Sequence, residues 1–284
     1  MRRLVHLSDL HFGRDRPELL EPLIEAVNRL APDAIAISGD LTQRARRRQF
    51  AAAAGFVARL RAPCLIVPGN HDVPLDRPFS RLFRPWRRYR EAFGADLQPI
   101  WRDPEMILIG VNTVNPLSWQ RGWIARRALG RIRRTLADAP RDLVRVIVMH
   151  HPLEHLPDER KALTRGASRA VDALAAAGAD VVLSGHLHSW RAEPFAHREG
   201  RAGVVQVQAG TGLSNRLRGE ENDFNLLTFL PSEIQVERHV AAEGSTRFDR
   251  AATAHFRLGD AGWAGIDAAP ARARDPLAPR GADA

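Results

Sequence analysis

Cysteine is almost absent from this chain of 284 residues, in which Cys64 is the single thiol. One thiol excludes an intramolecular disulfide, and the scarcity of cysteine favours a reducing, cytoplasmic location. Cys64 begins a short apolar run that ends at Val67. We therefore interpret Cys64 as a small buried side chain and not as a reactive thiol.

Long apolar runs are absent as well. No stretch approaches the roughly 20 apolar residues that a helix needs to span a bilayer. The run that follows Arg2 and Arg3 ends at Leu7, which makes it too short for the hydrophobic part of a secretory signal. We expect a cytoplasmic protein, and peripheral contact with the inner face of the membrane stays open as an addition to that location.

Lysine is the third scarce residue. Lys161 is the single lysine, so arginine supplies nearly all of the 42 basic residues, which exceed the 33 acidic residues and give a formal charge of +9. The excess reflects either GC-rich coding or the attraction of an anionic substrate, a nucleic acid or a membrane surface. We do not expect a nucleic-acid partner, because no groove-binding motif accompanies the charge.

Apolar runs alternate with helical stretches through the first two-thirds of the chain. The pattern predicts strands at 4–8, 34–38, 65–67, 106–111, 144–149 and 181–183, and helices at 17–30, 43–60, 125–137 and 168–177. This alternation is typical of a parallel sheet covered by helices. Three later runs at 204–207, 224–230 and 234–240 are separated by short turns, so they predict antiparallel strands in a mixed or second sheet.

The segment at about 74–95 is predicted to be a cap-like insertion, because prolines interrupt it and aromatic residues alternate with arginines. Three interpretations stay open. The arginines bind a nucleotide phosphate while Trp86 or Tyr89 stacks on a base. Alternatively, they meet anionic lipids while Phe79, Phe83 and Trp86 insert into the membrane. The third interpretation is a solvated basic helix that its aromatic residues pack on the core.

The end of the chain has a different composition. After about Gly259 it consists mainly of alanine, proline, arginine, aspartate and glycine. Such a segment cannot bury enough apolar surface to offset its ordering entropy. We therefore predict one domain at 1–258 and a disordered tail at 259–284.

Five short segments carry residues typical of metal sites, and they follow successive predicted strands. They are Asp9-Leu10-His11, Gly39-Asp40, Gly69-Asn70-His71-Asp72, His150-His151-Pro152 and Gly185-His186-Leu187-His188. Because strand ends converge on one crevice in an open α/β sheet, residues distant in sequence would meet there. Each segment alone is a weak signal, and the ordered set is what predicts a site.

The residue types in these segments suit a pair of divalent ions. Aspartate, histidine and asparagine form a ligand set for Zn, Mn or Fe. Two ions about 3.5–4 Å apart can clamp a phosphate and activate a water molecule. Asp40 is the candidate for a carboxylate that bridges both ions, because the missing side chain of Gly39 lets the backbone approach closely.

The ordered set resembles the calcineurin-like metallophosphoesterase superfamily, and the resemblance spans roughly residues 1–240. The family order D-x-H, G-D, G-N-H-[DE], H and G-H-x-H is matched by the five segments above. The Ser8-Asp9-Leu10-His11 start most resembles the bacterial class III cyclic-nucleotide phosphodiesterase type. The resemblance implies an α/β fold, a four-layer α/β/β/α sandwich of two mixed β-sheets flanked by helices, known as the metallo-dependent phosphatase fold.

The same resemblance implies a role for each site residue. One divalent ion would be held by Asp9, His11, Asp40 and His188, and the other by Asp40, Asn70, His150 and His186. His71 would contact the phosphate and protonate the leaving oxygen, and Asp72 would orient the His71 ring by accepting its other proton. A hydroxide that bridges the ions would attack phosphorus in line with the departing alkoxide.

One ligand position has two candidates, because His150 and His151 are adjacent. Strand alternation would point them to opposite sides, so only one of them would face the ions. We select His150, the first residue after the strand, and His151 stays the alternative.

The implied function is a phosphodiesterase that acts on a cyclic nucleotide or another small phosphodiester. The related cyclic-nucleotide enzymes imply a homodimer. The alternatives are a membrane-associated lipid pyrophosphatase or phosphoesterase, and a noncatalytic metal-binding module. A noncatalytic module predicts at least one missing ligand, whereas every ligand position is filled here.

Overall fold

The computed structural model describes residues 1–154, 161–195 and 203–266. Within these ranges the strands are β1 Arg2–Leu7, β2 Ala34–Ile37, β3 Cys64–Ile66, β4 Ile100–Arg102, β5 Met106–Val111, β6 Val144–Met149, β7 Val181–Ser184, β8 Arg191–Pro194, β9 Val205–Gln208, β10 Asn222–Leu230, β11 Glu233–Ala241, β12 Phe248–Gly259 and β13 Gly262–Gly265. The helices are α1 Leu20–Arg29, α2 Arg47–Val57, α3 Pro78–Phe83, α4 Arg87–Phe93, α5 Arg126–Ala137 and α6 Ala167–Ala176. None of these helices is both long and apolar enough to cross a bilayer.

The strands form two mixed sheets. The first has seven strands in the order β13-β12-β11-β10-β1-β2-β3, and the second has six in the order β4-β5-β6-β7-β9-β8. Strands β1, β2 and β3 run parallel, as do β5, β6, β7 and β9. The remaining pairs, including the edge strands β4 and β8, are antiparallel. The expectation of two mixed sheets is confirmed.

Strand alternation builds the four layers, because successive side chains point to opposite faces of a sheet. In β1, Leu7 belongs to the core beneath α1 and α2, whereas Leu4 belongs to the core between the sheets. In β5, Ile109 packs beneath α5 and α6, whereas Leu108 packs between the sheets. Helices thus cover the outer face of each sheet, and the implied four-layer sandwich is confirmed.

The insertion at about 74–95 contains two short helices, α3 and α4. Helix α4 packs on α2, because the ring of Tyr89 is buried and contacts Phe50 and Phe93. The Tyr89 hydroxyl also donates a hydrogen bond to the carbonyl of Ile66 at 3.1 Å. Helix α3 has no buried residue. The third interpretation of the insertion, a basic helix that its aromatic residues pack on the core, therefore fits α4 but not α3.

The domain end expected at 258 lies too early in the chain. Strand β12 continues to Gly259 and pairs with β13, where the Trp263 side chain is buried. The indole N–H of Trp263 donates to Oδ1 of Asp180 at 2.9 Å, which ties the edge of the first sheet to the residue before β7. Composition misses β13 because its sequence, Gly-Trp-Ala-Gly, has little strand propensity. Residues 267–284 of the predicted tail lie outside the described residues.

The contact between Trp263 and Asp180 generates a stability prediction. We expect Trp263→Ala to lower the free energy of unfolding by about 3–5 kcal/mol, because it leaves a cavity. Trp263→Phe keeps most of the packing and should cost about 1–2 kcal/mol for the unpaired carboxylate. Urea denaturation measures both values. If Trp263→Ala and the unaltered protein had the same urea midpoint, β13 would add nothing to the stability of the domain, and the predicted domain end at 258 would stand.

Candidate metal centre

Loops at the carboxyl ends of β1, β2, β3, β6 and β7 converge on one crevice. The N–H of Asp9 donates to the carbonyl of Gly39 at 3.1 Å, and the N–H of His11 donates to that of Asp40 at 2.9 Å. The N–H of Gly185 donates to the carbonyl of His150 at 3.0 Å, which joins the loops after β6 and β7. The structure thereby brings all nine predicted site residues together: Asp9, His11, Asp40, Asn70, His71, Asp72, His150, His186 and His188.

The backbone of several of these residues adopts a strained conformation. Nine non-glycine residues in the described ranges have a positive φ, and five of them are predicted ligands: Asp9, His11, Asp40, His186 and His188, with φ between 49° and 74°. Residues with a Cβ lose free energy in this left-handed region, and such residues cluster at functional sites. The hydrogen bonds between the loops hold this conformation in place.

Asp9, His11 and His188 form a first group of ligand atoms. Oδ1 of Asp9 lies 3.1 Å from Nε2 of His188 and 3.4 Å from Nε2 of His11. The two Nε2 atoms are 3.2 Å apart, and all three side chains are buried. Oδ2 of Asp9 accepts hydrogen bonds from the Ser8 hydroxyl at 2.7 Å and from the His186 N–H at 2.9 Å. Those two bonds leave Oδ1 directed at the histidines.

Asp40, Asn70 and His150 form a second group. Nε2 of His150 lies 3.1 Å from Oδ1 of Asn70 and 3.3 Å from Oδ2 of Asp40. The same Oδ2 of Asp40 is 3.7 Å from Nε2 of His11, which belongs to the first group. The ring of His186 lies 5.1 Å from the ring of His150. Asp40 therefore lies between the two groups.

Hydrogen bonds fix which nitrogen carries the proton in two of these histidines. Nδ1 of His188 lies 2.9 Å from the carbonyl of Arg216, and Nδ1 of His150 lies 2.8 Å from the carbonyl of Ser38. Because a carbonyl oxygen only accepts, Nδ1 donates in both rings and Nε2 of the neutral ring presents a lone pair. These lone pairs face carboxylate and amide oxygens, which are also acceptors. Converging acceptors fit a bound cation, and the N–H bonds to carbonyls match the usual orientation of histidine ligands.

The electrostatics of the crevice also favour a positive charge there. Burial lowers the pKa of His150, but the Asp40 carboxylate outweighs burial and raises that pKa to about 9. Burial raises the pKa of Asp9, but His188 and His11 outweigh burial and hold that pKa well below its usual range. Burial lowers the pKa of His186 well below its usual value, so this ring is neutral. Metal binding displaces the proton of a histidine ligand, so a divalent ion would replace the positive charge that the Asp40 carboxylate otherwise holds on His150.

The prediction that Asp72 orients the His71 ring is wrong. Nδ1 of His71 lies 2.9 Å from the carbonyl of Gln43, not against Asp72. Oδ1 of Asp72 accepts from the N–H and the hydroxyl of Thr42, both at 2.9 Å, and Oδ2 accepts from the N–H of Gly69 at 2.9 Å. Residues 70–72 form one turn of 3-10 helix, which directs the Asp72 side chain back onto its own loop. Asp72 therefore holds the loops, and Gln43 orients His71.

His150 and His151 do not point to opposite sides, because β6 ends at Met149 and strand alternation does not continue beyond it. Their ring centroids are 4.8 Å apart, and the His151 ring is 4.6 Å from that of His186. Nδ1 of His151 makes a 2.8 Å hydrogen bond with the Thr113 hydroxyl. A ring nitrogen of His151 also lies within 4.8 Å of ligand atoms of His150 and His186. The geometry favours His150 as the ligand, because its Nε2 is the atom that faces Asp40.

Arginines surround the opening beside His71, and no pattern in the sequence predicts their place there. A cleft of about 610 Å³ is lined by His71, Gln43, Gln49, Gly13, Arg14, Arg44, Arg46, Arg48 and Arg216. Arg46 lies 3.7 Å from Asp76, and the other four guanidinium groups make no ion pair with a carboxylate in the described ranges. No motif separates these arginines from the many others in the chain. The unneutralised charge of the cleft suits an anionic substrate.

Comparisons with known proteins agree with this geometry. The profile of a family described as calcineurin-like phosphoesterase matches residues 2–190, which include all nine site residues. The chain is 26% identical over 223 residues to a probable cyclic nucleotide phosphodiesterase of Rhodopseudomonas palustris, a match that covers 72% of this chain and 79% of the relative. It is also 26% identical over 161 residues to a glycerophosphodiester phosphodiesterase of Enterobacter lignolyticus, with 52% of this chain and 56% of the relative covered.

A solved structure supports the fold independently. A dimetal phosphatase from Danio rerio superposes with a TM-score of 0.61 at 13% sequence identity. The superposition covers 88% of this chain and 98% of that chain. At this level of identity the likeness concerns the arrangement of the layers alone.

The loop after β3 passes close to Asp40 at Gly69, and this close approach can be tested. A methyl group at Gly69 would collide with Oδ1 and the backbone N of Asp40. We therefore expect Gly69→Ala to displace the Asp40 carboxylate and to reduce the number of metal ions bound per chain, measured by elemental analysis. Gly55→Ala is the matched control, because a methyl group on this helical glycine meets nothing within 4 Å. Undiminished metal content in Gly69→Ala would contradict the placement of Asp40 at the ions.

Proposed function

Because the chain belongs to the calcineurin-like phosphoesterase family, we propose that it is a phosphodiesterase that uses two divalent metal ions. Hydrolysis of phosphoric esters and the use of divalent metal follow from the family. The number of ions, the ligand assignment and the diester substrate belong to the proposal. The observation that carries it is the position of Asp40 between two groups of acceptor atoms, as a bridging carboxylate requires.

We assign the ligands from the contacts of the two groups. The first ion would be held by Asp9, His11, Asp40 and His188, and the second by Asp40, Asn70, His150 and His186. These oxygen and imidazole ligands suit Mn, Fe or Zn. When bound, the ions supply positive charge against phosphoryl oxygens and lower the pKa of water. The protein supplies rigid ligands, because each carboxylate and each oriented histidine is also held by a backbone group.

His71 is the residue assigned to proton transfer. Its ring is partly exposed at the cleft, whereas the ligand side chains are buried. A ring nitrogen of His71 lies within 4.8 Å of ligand atoms of His11 and Asp40, so the ring borders the first group. Because Nδ1 faces the Gln43 carbonyl, Nε2 is the nitrogen available to substrate. A protonated His71 can therefore donate its Nε2 proton to the leaving alkoxide oxygen.

A small phosphodiester is the proposed substrate class. The relatives from Rhodopseudomonas palustris and Enterobacter lignolyticus are named as enzymes that act on a cyclic nucleotide and a glycerophosphodiester. The arginines of the cleft beside His71 add charge that attracts a phosphate. A noncatalytic metal-binding module is disfavoured, because all seven ligand positions are filled and His71 lies beside them.

A substrate panel tests the proposal. We expect Mn-loaded protein to hydrolyse bis(p-nitrophenyl) phosphate, and cyclic AMP or glycerophosphocholine faster than a lipid pyrophosphate. EDTA should abolish each rate, and added Mn should restore it, because the ions supply the charge that stabilises the reaction. Release of nitrophenol and liquid chromatography of the products are the measurements. Hydrolysis that survives complete removal of metal would contradict the proposal.

The adjacent histidines give a test of the ligand assignment. We expect His150→Ala to lose at least one of two bound ions, because its Nε2 faces both Asp40 and Asn70. His151→Ala is the matched control and should keep both ions, because the ring nitrogen that faces Asp40 and Asn70 belongs to His150. Elemental analysis of the purified variants measures the ion count. Two ions in the His150 variant would overturn the assignment and select His151.

A further inference from the structure

Large apolar side chains are exposed together on two segments of the surface. In α3, Phe79 is 79% exposed, Leu82 57% and Phe83 72%, and in the loop after β5 Leu117 is 78% exposed and Trp119 68%. We call these five residues the apolar patch. Phe79, Leu82 and Phe83 are three and four positions apart, so they lie on one face of α3. Single exposed apolar residues are ordinary, but a contiguous group usually marks an interaction site.

Arg81 joins the two segments into one surface. Its Nε donates to the carbonyl of Pro116 at 2.6 Å, and its Nη2 donates to the carbonyl of Ser118 at 2.6 Å. The guanidinium group lies 5.9 Å from the centre of the Trp119 ring, within reach of a cation–π contact. Helix α3 is therefore held against the loop after β5, and the two segments of the apolar patch form one surface.

Positive charge that is only partly neutralised borders the apolar patch. A cavity of about 440 Å³ beside α3 is lined by Arg47, Pro74, Arg77, Ser80, Arg84, Pro85, Arg87 and Arg88. A second cavity includes Phe83 of the apolar patch together with Trp86 and Arg90. The acidic neighbours are already paired, because Asp76 lies 3.7 Å from Arg46 and Glu91 lies 2.8 Å from Arg87. The border therefore presents guanidinium groups to any surface that approaches it.

We propose that the apolar patch docks on an anionic lipid bilayer. Phe79, Phe83 and Trp119 insert at the boundary between headgroups and acyl chains, and the arginines contact the anionic headgroups. A second copy of this chain is a poorer occupant, because the arginine borders of two facing patches would repel each other. The proposal concerns the location of the enzyme and is independent of its substrate.

The arginine border of the apolar patch is connected to the cleft beside His71. Arg47 lines the cavity beside α3, and its neighbour in α2, Arg48, lines the cleft beside His71. Arg46 of that cleft also pairs with Asp76, which lies two residues before α3. The arginine border of the apolar patch and the mouth of the cleft are thus linked through α2.

Vesicle sedimentation tests the proposal with the full-length protein. We expect the protein to sediment with vesicles of phosphatidylglycerol and phosphatidylcholine, and not with phosphatidylcholine alone. High salt should weaken this binding, because headgroup contacts are screened. The double variant Phe79→Ser and Phe83→Ser should bind the anionic vesicles at least about tenfold more weakly, because two aromatic side chains no longer insert.

The controls separate membrane docking from other causes. Leu258→Ser should leave vesicle binding unchanged, because Leu258 is 45% exposed on β12, near the opposite edge of the first sheet from β3. Thermal unfolding should show that all variants are folded. Equal binding to both kinds of vesicle, or no binding to either, overturns the proposal. A dimer in sedimentation velocity that the double variant abolishes, without vesicle binding, identifies the apolar patch as a self-association surface instead.

Discussion

The central constraint on this structure is that hydrogen-bond acceptors of the predicted metal ligands face one another in the crevice. Nε2 of His188 faces Oδ1 of Asp9, and Nε2 of His150 faces oxygens of Asp40 and Asn70, while the other nitrogen of each ring is bonded to a carbonyl. Buried charges and lone pairs without partners are costly, and a cation is the partner that offsets this cost. The positive φ angles of the same loops show that the backbone is held in a strained form to achieve this arrangement.

The two sheets matter because neither supplies the site alone. The first sheet contributes the loops after β1, β2 and β3, and the second contributes those after β6 and β7. Their relative position depends on the core between the sheets and on the bond from Trp263 to Asp180. A shift of one sheet against the other would separate Asp40 from His150. Packing far from the crevice therefore controls whether the ligand atoms meet.

Much of this fold and much of the site can be predicted from the sequence. Strands such as β5 and β6 are mostly apolar and mostly buried, and the ligands follow strands. Strands β4 and β8 were missed because they are short, partly exposed edge strands. The partner of Asp72 was missed because local 3-10 geometry, not residue type, directs that side chain. Arg14 and Arg44 were missed because only folding distinguishes cleft arginines from the rest.

Anomalous diffraction from crystals grown with Mn tests the central claim most directly. We expect two peaks per chain, about 3.5–4 Å apart, with the Asp40 carboxylate between them. One peak would lie beside Asp9 and His188, and the other beside Asn70 and His150. A single peak, or peaks elsewhere on the surface while these side chains keep their positions, would contradict it.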